Sequence, residues 1–326
     1  MSWLRFVSLF LLLICETRLV YAQPVDTNWP NRPIRFIVPF PAGAITDLVA
    51  RVVAAKLSQQ LGQPVIIDNR TGASGEVGAA AIMHAAPDGY TIGLATASTH
   101  AIAASLNSSL AYDPVKDFTP ISMIGDAPYV LVVNSSLPAQ NVADVIRLAK
   151  AQPRSLNYST VGPASLAQFA GALFSSMTGV ELTPIPYRTA TQAVIDLAEG
   201  RIQMQFGAIA ASLPFVRDGR LRALAVTSSA RVAMLPDVPT MSEAGLANYE
   251  AVLWMALVMP PGTPSILVER MNRETREAIA DAGVQKSLAL QALLPRSSTP
   301  DELRGRISSD IAKWHKIAIE AGIKPE

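Results

Sequence analysis

Charge is scarce in this 326-residue sequence, at 16% Asp, Glu, Lys and Arg, against roughly 25% in an average soluble protein. Formal net charge is +1, so no cationic excess faces phosphates, and nucleic acid is excluded as a partner. Half of the residues are apolar, which excludes an intrinsically disordered chain. Cysteine occurs once, at Cys15, and histidine three times, at His84, His100 and His315. The histidines lack HxxxH-type spacing and have no cysteine to complete a ligand set, so neither a metal nor a cofactor is expected. Also missing are a GxSxG elbow, a GxxxxGK[ST] loop and a GxGxxG after the first strand. A periplasmic hydrolase using His100 at the mouth of a cleft is therefore a weak alternative, since a lone histidine is more often structural.

Apolar runs long enough to matter for a membrane occur only at the start. Arg5 precedes an apolar stretch from Phe6 to Ile14, and Val20-Tyr21-Ala22 supplies small residues before Gln23. Residues 1–22 read as a secretory signal peptide, with an apolar run too short to span a bilayer comfortably. Removing Arg5, Arg18 and Glu16 from 27 basic and 26 acidic residues leaves 25 of each. Cys15 leaves with them, so the mature chain can form no disulfide and no thiolate site, which suits an oxidising periplasm.

Short β-rich runs alternate with helical patterns along the remainder. Strands are expected at Ile34–Pro39, Val65–Asp68, Thr91–Ala95, Val130–Val133, Leu156–Ser159, Leu182–Tyr187, Ile202–Phe206 and Ala223–Thr227. Helices are expected at Leu48–Leu61, Val77–Ala85, Val142–Ala151, Leu166–Met177, Gln192–Glu199, Ile266–Ala280 and Asp301–Glu320. Such alternation predicts parallel α/β sheets covered on both faces. Trp254, Met255 and Met259 read as core, and Trp314 with the Lys313–Lys316 run as the amphipathic face and solvated edge of the last helix.

Four strand-to-helix turns carry the chemistry. VPFPAGAITD (Val38–Asp47) joins the first strand to its helix, and DNRTGASGEVG (Asp68–Gly78) follows the second, with Ser74 expected as N-cap. Ser159-Thr160-Val161-Gly162 leads into Ser165-Leu166-Ala167-Gln168, a capping-box spacing that Thr189 and Gln192 repeat after Tyr187-Arg188. Each turn sets unpaired N–H groups and the positive end of a helix dipole at a sheet's carboxyl edge, where ligands of open α/β sheets bind. Four hydrogen bonds to a carboxylate, at roughly 1.5–3 kcal/mol each, are enough for micromolar binding without an arginine cluster.

At these turns the sequence resembles the Bug family of periplasmic solute receptors, the binding components of tripartite tricarboxylate transporters. The resemblance runs through VPFPAGAITDLVAR (Val38–Arg51), NRTGASGEVGAA (Asn69–Ala80), APDGYT (Ala86–Thr91), AYDPVKDFTPIS (Ala111–Ser122), PYR (Pro186–Arg188), LAVTSSAR with LPDVPTMSEAG (Leu224–Gly245), and PPGTP (Pro260–Pro264). It implies a two-lobed α/β periplasmic binding protein, a type II-like Venus flytrap whose lobes are mostly parallel sheets flanked by helices. Lobe one is expected at 30–128 plus 252–326 and lobe two at 129–251. The implied ligand is a small carboxylate, and the implied partners are membrane subunits of the transporter; a sensor protein is an alternative partner for a ligand-loaded co-receptor. The receptor is expected to be a monomer and not an enzyme.

Carried over by the resemblance, main-chain groups and bridging waters at Phe40, Pro41, Ala42, Gly43 and Asp47 would hold a ligand carboxylate. Asp47 itself, being of like charge, would stabilise the helix start or accept from a bridging water. Ser74, Ser98 and Thr99 would complete the lobe-one side, while Thr160, Gly162, Ser165, Tyr187, Arg188 and Gly207 would come from lobe two. The chain departs from the family pattern at Ala44, Ala164, Thr189-Ala190 and Gly207-Ala208. Fewer glycines stiffen these loops, and the lack of side-chain acceptors after Phe206 disfavours a ligand amine. The expected ligand is an apolar-bodied or aromatic acid rather than an amino acid. Asn69, Arg70 and Gly72 would shape the second turn, and Asp196 reads as a helix-face charge.

Overall fold

The structure, a computed structural model, describes residues 28–107, 109–162 and 165–323. The expected signal peptide and the Ala164 departure lie outside these residues. The first stretch folds as β1 (Ile34–Val38), α1 (Ile45–Leu61), β2 (Val65–Asn69), α2 (Glu76–Met83) and β3 (Thr91–Thr96), then a π-helical turn over Ser98–Ile102 and α3 (Ala103–Leu106). A 16-residue strand, β4 (Thr119–Asn134), leads into α4 (Val142–Ala151), β5 (Asn157–Thr160), α5 (Leu166–Thr178) and β6 (Thr183–Pro186). There follow α6 (Ala190–Ala198), β7 (Met204–Ala208), α7 (Ile209–Arg217) and β8 (Leu221–Val226). The chain returns through β9 (Val252–Met259) and ends in α8 (Ser265–Ala280), α9 (Ala282–Ala289), β10 (Leu294–Pro295) and α10 (Pro300–Ala321).

The strands run in the order β2-β1-β3-β9-β4-β7-β5-β6, with β8 and β10 also paired to β4. β4 changes partners midway: it pairs β9 as far as Pro128↔Val252 and β7 from Tyr129↔Ala208. This long strand therefore carries the chain from one half of a curled sheet to the other. The two-lobed α/β expectation holds, but each half is mixed instead of mostly parallel. β1–β2, β1–β3, β5–β6 and β5–β7 are parallel, whereas every pair involving β4 or β9 is antiparallel. The reason is geometric, because a chain that crosses between halves and comes back lays its two crossings side by side in opposite directions.

β9 is buried along its whole length, including Trp254, Met255 and Met259, as core residues of the return path. α10 begins in a complete capping box, with Thr299 Oγ1 accepting from Glu302 N and Glu302 accepting from Thr299 N. Its later turns pack on α5, where Trp314 meets Phe169 edge-on at 5.5 Å and Ser176 donates to Glu320 at 2.6 Å. Lys313 is not on a solvated edge: it is half-buried, and its Nζ donates to the Glu250 carbonyl at 2.5 Å.

Candidate functional site

The first turn is organised by one inward-facing carboxylate. Asp47, on the first turn of α1, is 1% exposed. Its Oδ2 accepts from Gly43 N at 2.9 Å and from Arg51 Nε at 2.9 Å, and its Oδ1 accepts from Asn69 Nδ2 at 3.0 Å. Burial alone would push this carboxyl up, but the Arg51, Gly43 and Asn69 donors hold it below the ordinary aspartate value. Asn69 also donates to the Phe40 carbonyl at 3.0 Å, so β2 clamps the loop from beneath. Gly43 sits at φ +82°, a left-handed conformation that favours glycine.

These contacts redistribute the expected donors. The Gly43 amide belongs to Asp47, Ala44 N donates to the Pro41 carbonyl at 3.2 Å, and Pro41 has no N–H to offer. Left without a protein acceptor among the described residues are the Ala42 amide and those of Ile45, Thr46 and Asp47 at the start of α1. Thr46 Oγ1 is buried there without a partner.

The other lobe-one expectations shift as well. Ser74 is exposed at φ +51° and caps nothing; Gly75 is the N-cap residue of α2 and makes no side-chain cap. Ser98 opens the π-helical turn, half-buried. Thr99 is fully buried, its hydroxyl tied to Thr96 N and His100 Nδ1, so it lies beneath the cleft surface and not in it. His100 is equally buried, edge-on to Phe118 at 4.4 Å, and burial brings its pKa down to about 3. A hydrolase mechanism at the cleft mouth thus loses its only histidine.

In the second half, three helix starts meet one cavity. Ala167 near the start of α5, Ala190 at the first position of α6, and Ala208 with Ala211 at the start of α7 all line it. Thr160 and Gly207 line it too, with Tyr129, Ser159 and Gln205. Ser159 Oγ is buried with no partner, and burial pushes the Tyr129 hydroxyl up to about 12. A methyl at Gly207 would come within 2.9 Å of Gln205 Cδ, so glycine there lets the Gln205 carboxamide fold over the strand. An acceptor does therefore lie beside Gly207, correcting the sequence expectation.

Ser165 and Thr189 cap α5 and α6 as their spacing predicts, accepting from Gln168 N and Gln192 N. The Ser165 hydroxyl also donates to the Gly162 carbonyl at 2.6 Å, so it shapes the turn. The Tyr187 hydroxyl donates to Asp196 at 3.0 Å, while Asp196 also accepts from Gln192 and Arg201. Tyr187 and Asp196 thus brace α6, and neither lines the cavity. Arg188 is exposed, with no ion-pair partner among the described residues.

An adjoining cavity joins the two halves. Ile45 of α1 faces Ala208, Ile209 and Ala210 of α7 across it, with Pro128 and Tyr129 of β4 forming its floor and Leu253 and Ala292 an apolar side. Tyr129 borders both cavities, and no charged side chain lines either. A wider groove of about 580 Å³ runs between α5, β6 and the end of α10.

The matching family model is that of the tripartite tricarboxylate transporter family receptor, over residues 49–323. The chain belongs to this receptor family. Its relatives include Protein BugT of Bordetella pertussis, 39% identical over 305 residues that span 93% of this chain and 94% of that one. Among solved structures, R. palustris Rpa4515 with adipate is 36% identical, covering 91% of this chain and all of that one with a TM-score of 0.80. MatC (Rpa3494) from Rhodopseudomonas palustris with bound malate is 30% identical, covering 89% and 99%, with a TM-score of 0.75. This receptor is accordingly a two-lobed periplasmic solute-binding protein.

Tyr129, Ser159, Gln205 and the α7 start were not singled out by sequence. Gln205 and Gly207 share a strand face at i, i+2, a signal that could have exposed Gln205. The α7 start was hidden by Pro214, which interrupts the helical pattern from inside the helix.

Proposed function

We propose that this receptor captures a small carboxylate in the cleft between its lobes, through main-chain amides and bridging waters, and delivers it to the membrane subunits of a tripartite tricarboxylate-type transporter. Lobe one comprises 30–128 with 252–326, and lobe two 129–251. The mature form is a periplasmic monomer, not an enzyme, released by cleavage near Ala22-Gln23.

One observation carries this assignment: an uncharged cleft bordered by the starts of α1, α5, α6 and α7. Each start contributes about half a positive charge through oriented peptide dipoles, and these donors are already ordered, so little entropy is lost when an anion arrives. Asp47 supports the same reading by facing away from the ligand and holding the loop that presents the α1 amides. The alanine, proline and leucine surfaces between the donor groups favour an apolar ligand body. An ammonium group finds the Gln205 carbonyl but no carboxylate there, and removing its hydration shell would be costly. Adipate and malate, the molecules bound in the two relatives, are amine-free acids.

A thermal-shift series with adipate, malate, citrate, benzoate and glutamate tests this proposal. A ligand at one hundred times its Kd stabilises the folded form by about 2.7 kcal/mol, so at least one amine-free acid should raise Tm by several degrees. Stabilisation by glutamate alone would overturn the ligand class, and no response to any carboxylate would overturn the proposal.

A further inference from the structure

Behind the strand switch, a cluster of charged side chains joins three separate chain segments. Glu250 precedes Ala251 on the return path, and Arg306, Asp310 and Lys313 succeed one another along one side of α10. Arg306 Nη2 donates to Glu250 Oε1 at 2.8 Å, and Arg306 Nε to Asp310 Oδ2 at 3.1 Å. Trp254 Nε1 of β9 donates to the same Asp310 oxygen at 2.7 Å, and Lys313 Nζ to the Glu250 carbonyl. Asp126 of β4 pairs in register with Trp254; its Oδ2 lies 4.0 Å from Arg296, while its Oδ1 is buried and unpartnered.

A groove opens at this cluster. Ser229, Ser242 and Asn248 line one side and Ser309 of α10 lines the other. The Glu250 contacts therefore tie the return path to α10 at an open seam. α10 itself touches both halves, through Leu303 and Ile307 in the core near β4 and through Trp314 on Phe169 of α5. A rotation about the Pro128–Tyr129 switch that carries α10 with β4 and β9 would move Arg306 and Lys313 relative to Glu250, which lies two residues before β9.

We propose that Glu250, with Arg306 and Lys313, forms an ionic latch that holds the angle between the lobes and so sets how far the receptor opens. The Arg306 and Glu250 side chains are 21% and 34% exposed, so dissolved ions reach the latch and 1 M salt, with a Debye length of about 3 Å, weakens it. Asp310 orients the Arg306 guanidinium through its Nε, and the Asp126 charge adds a longer-range attraction.

The test needs no ligand. The chain beyond Cys15 has no cysteine, so Ile266→Cys on α8 and Lys150→Cys on α4, both exposed sites, take spin labels for pulsed dipolar distance measurement. In low salt the unsubstituted latch should give a narrow distance distribution that broadens at least twofold in 1 M sodium chloride. Glu250→Gln, which removes charge but keeps shape, should be broad at both salt concentrations, and Arg306→Lys should stay narrow in low salt. A Glu250→Gln distribution as narrow as that of the intact latch would overturn the proposal. So would an intact latch indifferent to salt, a measurement that holds even if Glu250→Gln fails to fold. Neither outcome bears on which carboxylate is bound.

Discussion

Thr227 Oγ1 accepts the Tyr129 N–H at 2.8 Å and donates to the Ala251 carbonyl at 2.6 Å. One side chain thereby pins together both strands of the crossing where β4 changes partners. Main-chain bonds repeat the tie, from Thr227 N to Tyr129 O at 2.9 Å and from Ala251 N to Thr227 O at 3.0 Å. The cleft floor at Tyr129 inherits its position from this knot.

Thr227→Val keeps the shape but leaves the buried Tyr129 amide and Ala251 carbonyl short of a partner. A loss of about 1–3 kcal/mol is expected, read as a lower urea midpoint. Thr227→Ser should recover most of it.

Asp47→Asn should lower stability by about 2 kcal/mol at pH 7, because three donors lose a charged acceptor. The sign with pH follows from its depressed pKa: the carboxylate's contribution is present above the unfolded value near 3.9 and disappears as pH falls through the folded value. Urea titrations at pH 7 and pH 3 should show the gap between the two proteins narrowing in acid.

His100 acts in the same sense, over a higher pH window. Burial holds its folded pKa at about 3, so below about pH 6.5 the unfolded chain gains a proton that the folded one refuses. Stability should fall between pH 6.5 and 3 by about 1.4 kcal/mol per pH unit from this group. His100→Asn should flatten that slope in chemical denaturation measured at pH 7, 5.5 and 4.5.

Gly207→Ala should fold, since the atom it meets belongs to a flexible side chain, the Gln205 carboxamide. Displacing that carboxamide should weaken binding of adipate or malate, whichever raises Tm, by about tenfold, or 1.4 kcal/mol. Gln205→Ala should have a similar effect, with isothermal calorimetry as the readout.

Local pattern located α4 at the boundaries observed, Val142–Ala151, and placed the caps of α5 and α6 on Ser165 and Thr189. It failed where burial or breakers disguise a strand. β9 is apolar throughout and has no alternation to read, and β4 begins with Pro120, Gly125 and Pro128. Register shifts between Pro120 and Ser122 and between Met123 and Gly125 absorb Pro120 and Gly125, while Pro128 ends the pairing with β9, a device that only the partner strand reveals. For the candidate site, the direction of each polar group was not legible: Thr99 and Tyr187 turn away from the cavities, while Ser159 and Gln205 line one of them.

The linear order of residues by itself determined the family, the alternation of strands and helices, and the scarcity of charge on which the proposed amide-lined site rests. Only the tertiary structure decided which amides remain uncommitted, because Asp47 and Asn69 meet over the first turn from opposite ends of α1 and β2. It likewise decided that Glu250, Arg306 and Lys313 gather behind the crossing. Hydrogen-bond partners 56 or 63 residues apart share no local pattern, and the packing of α10 alone brings them within reach.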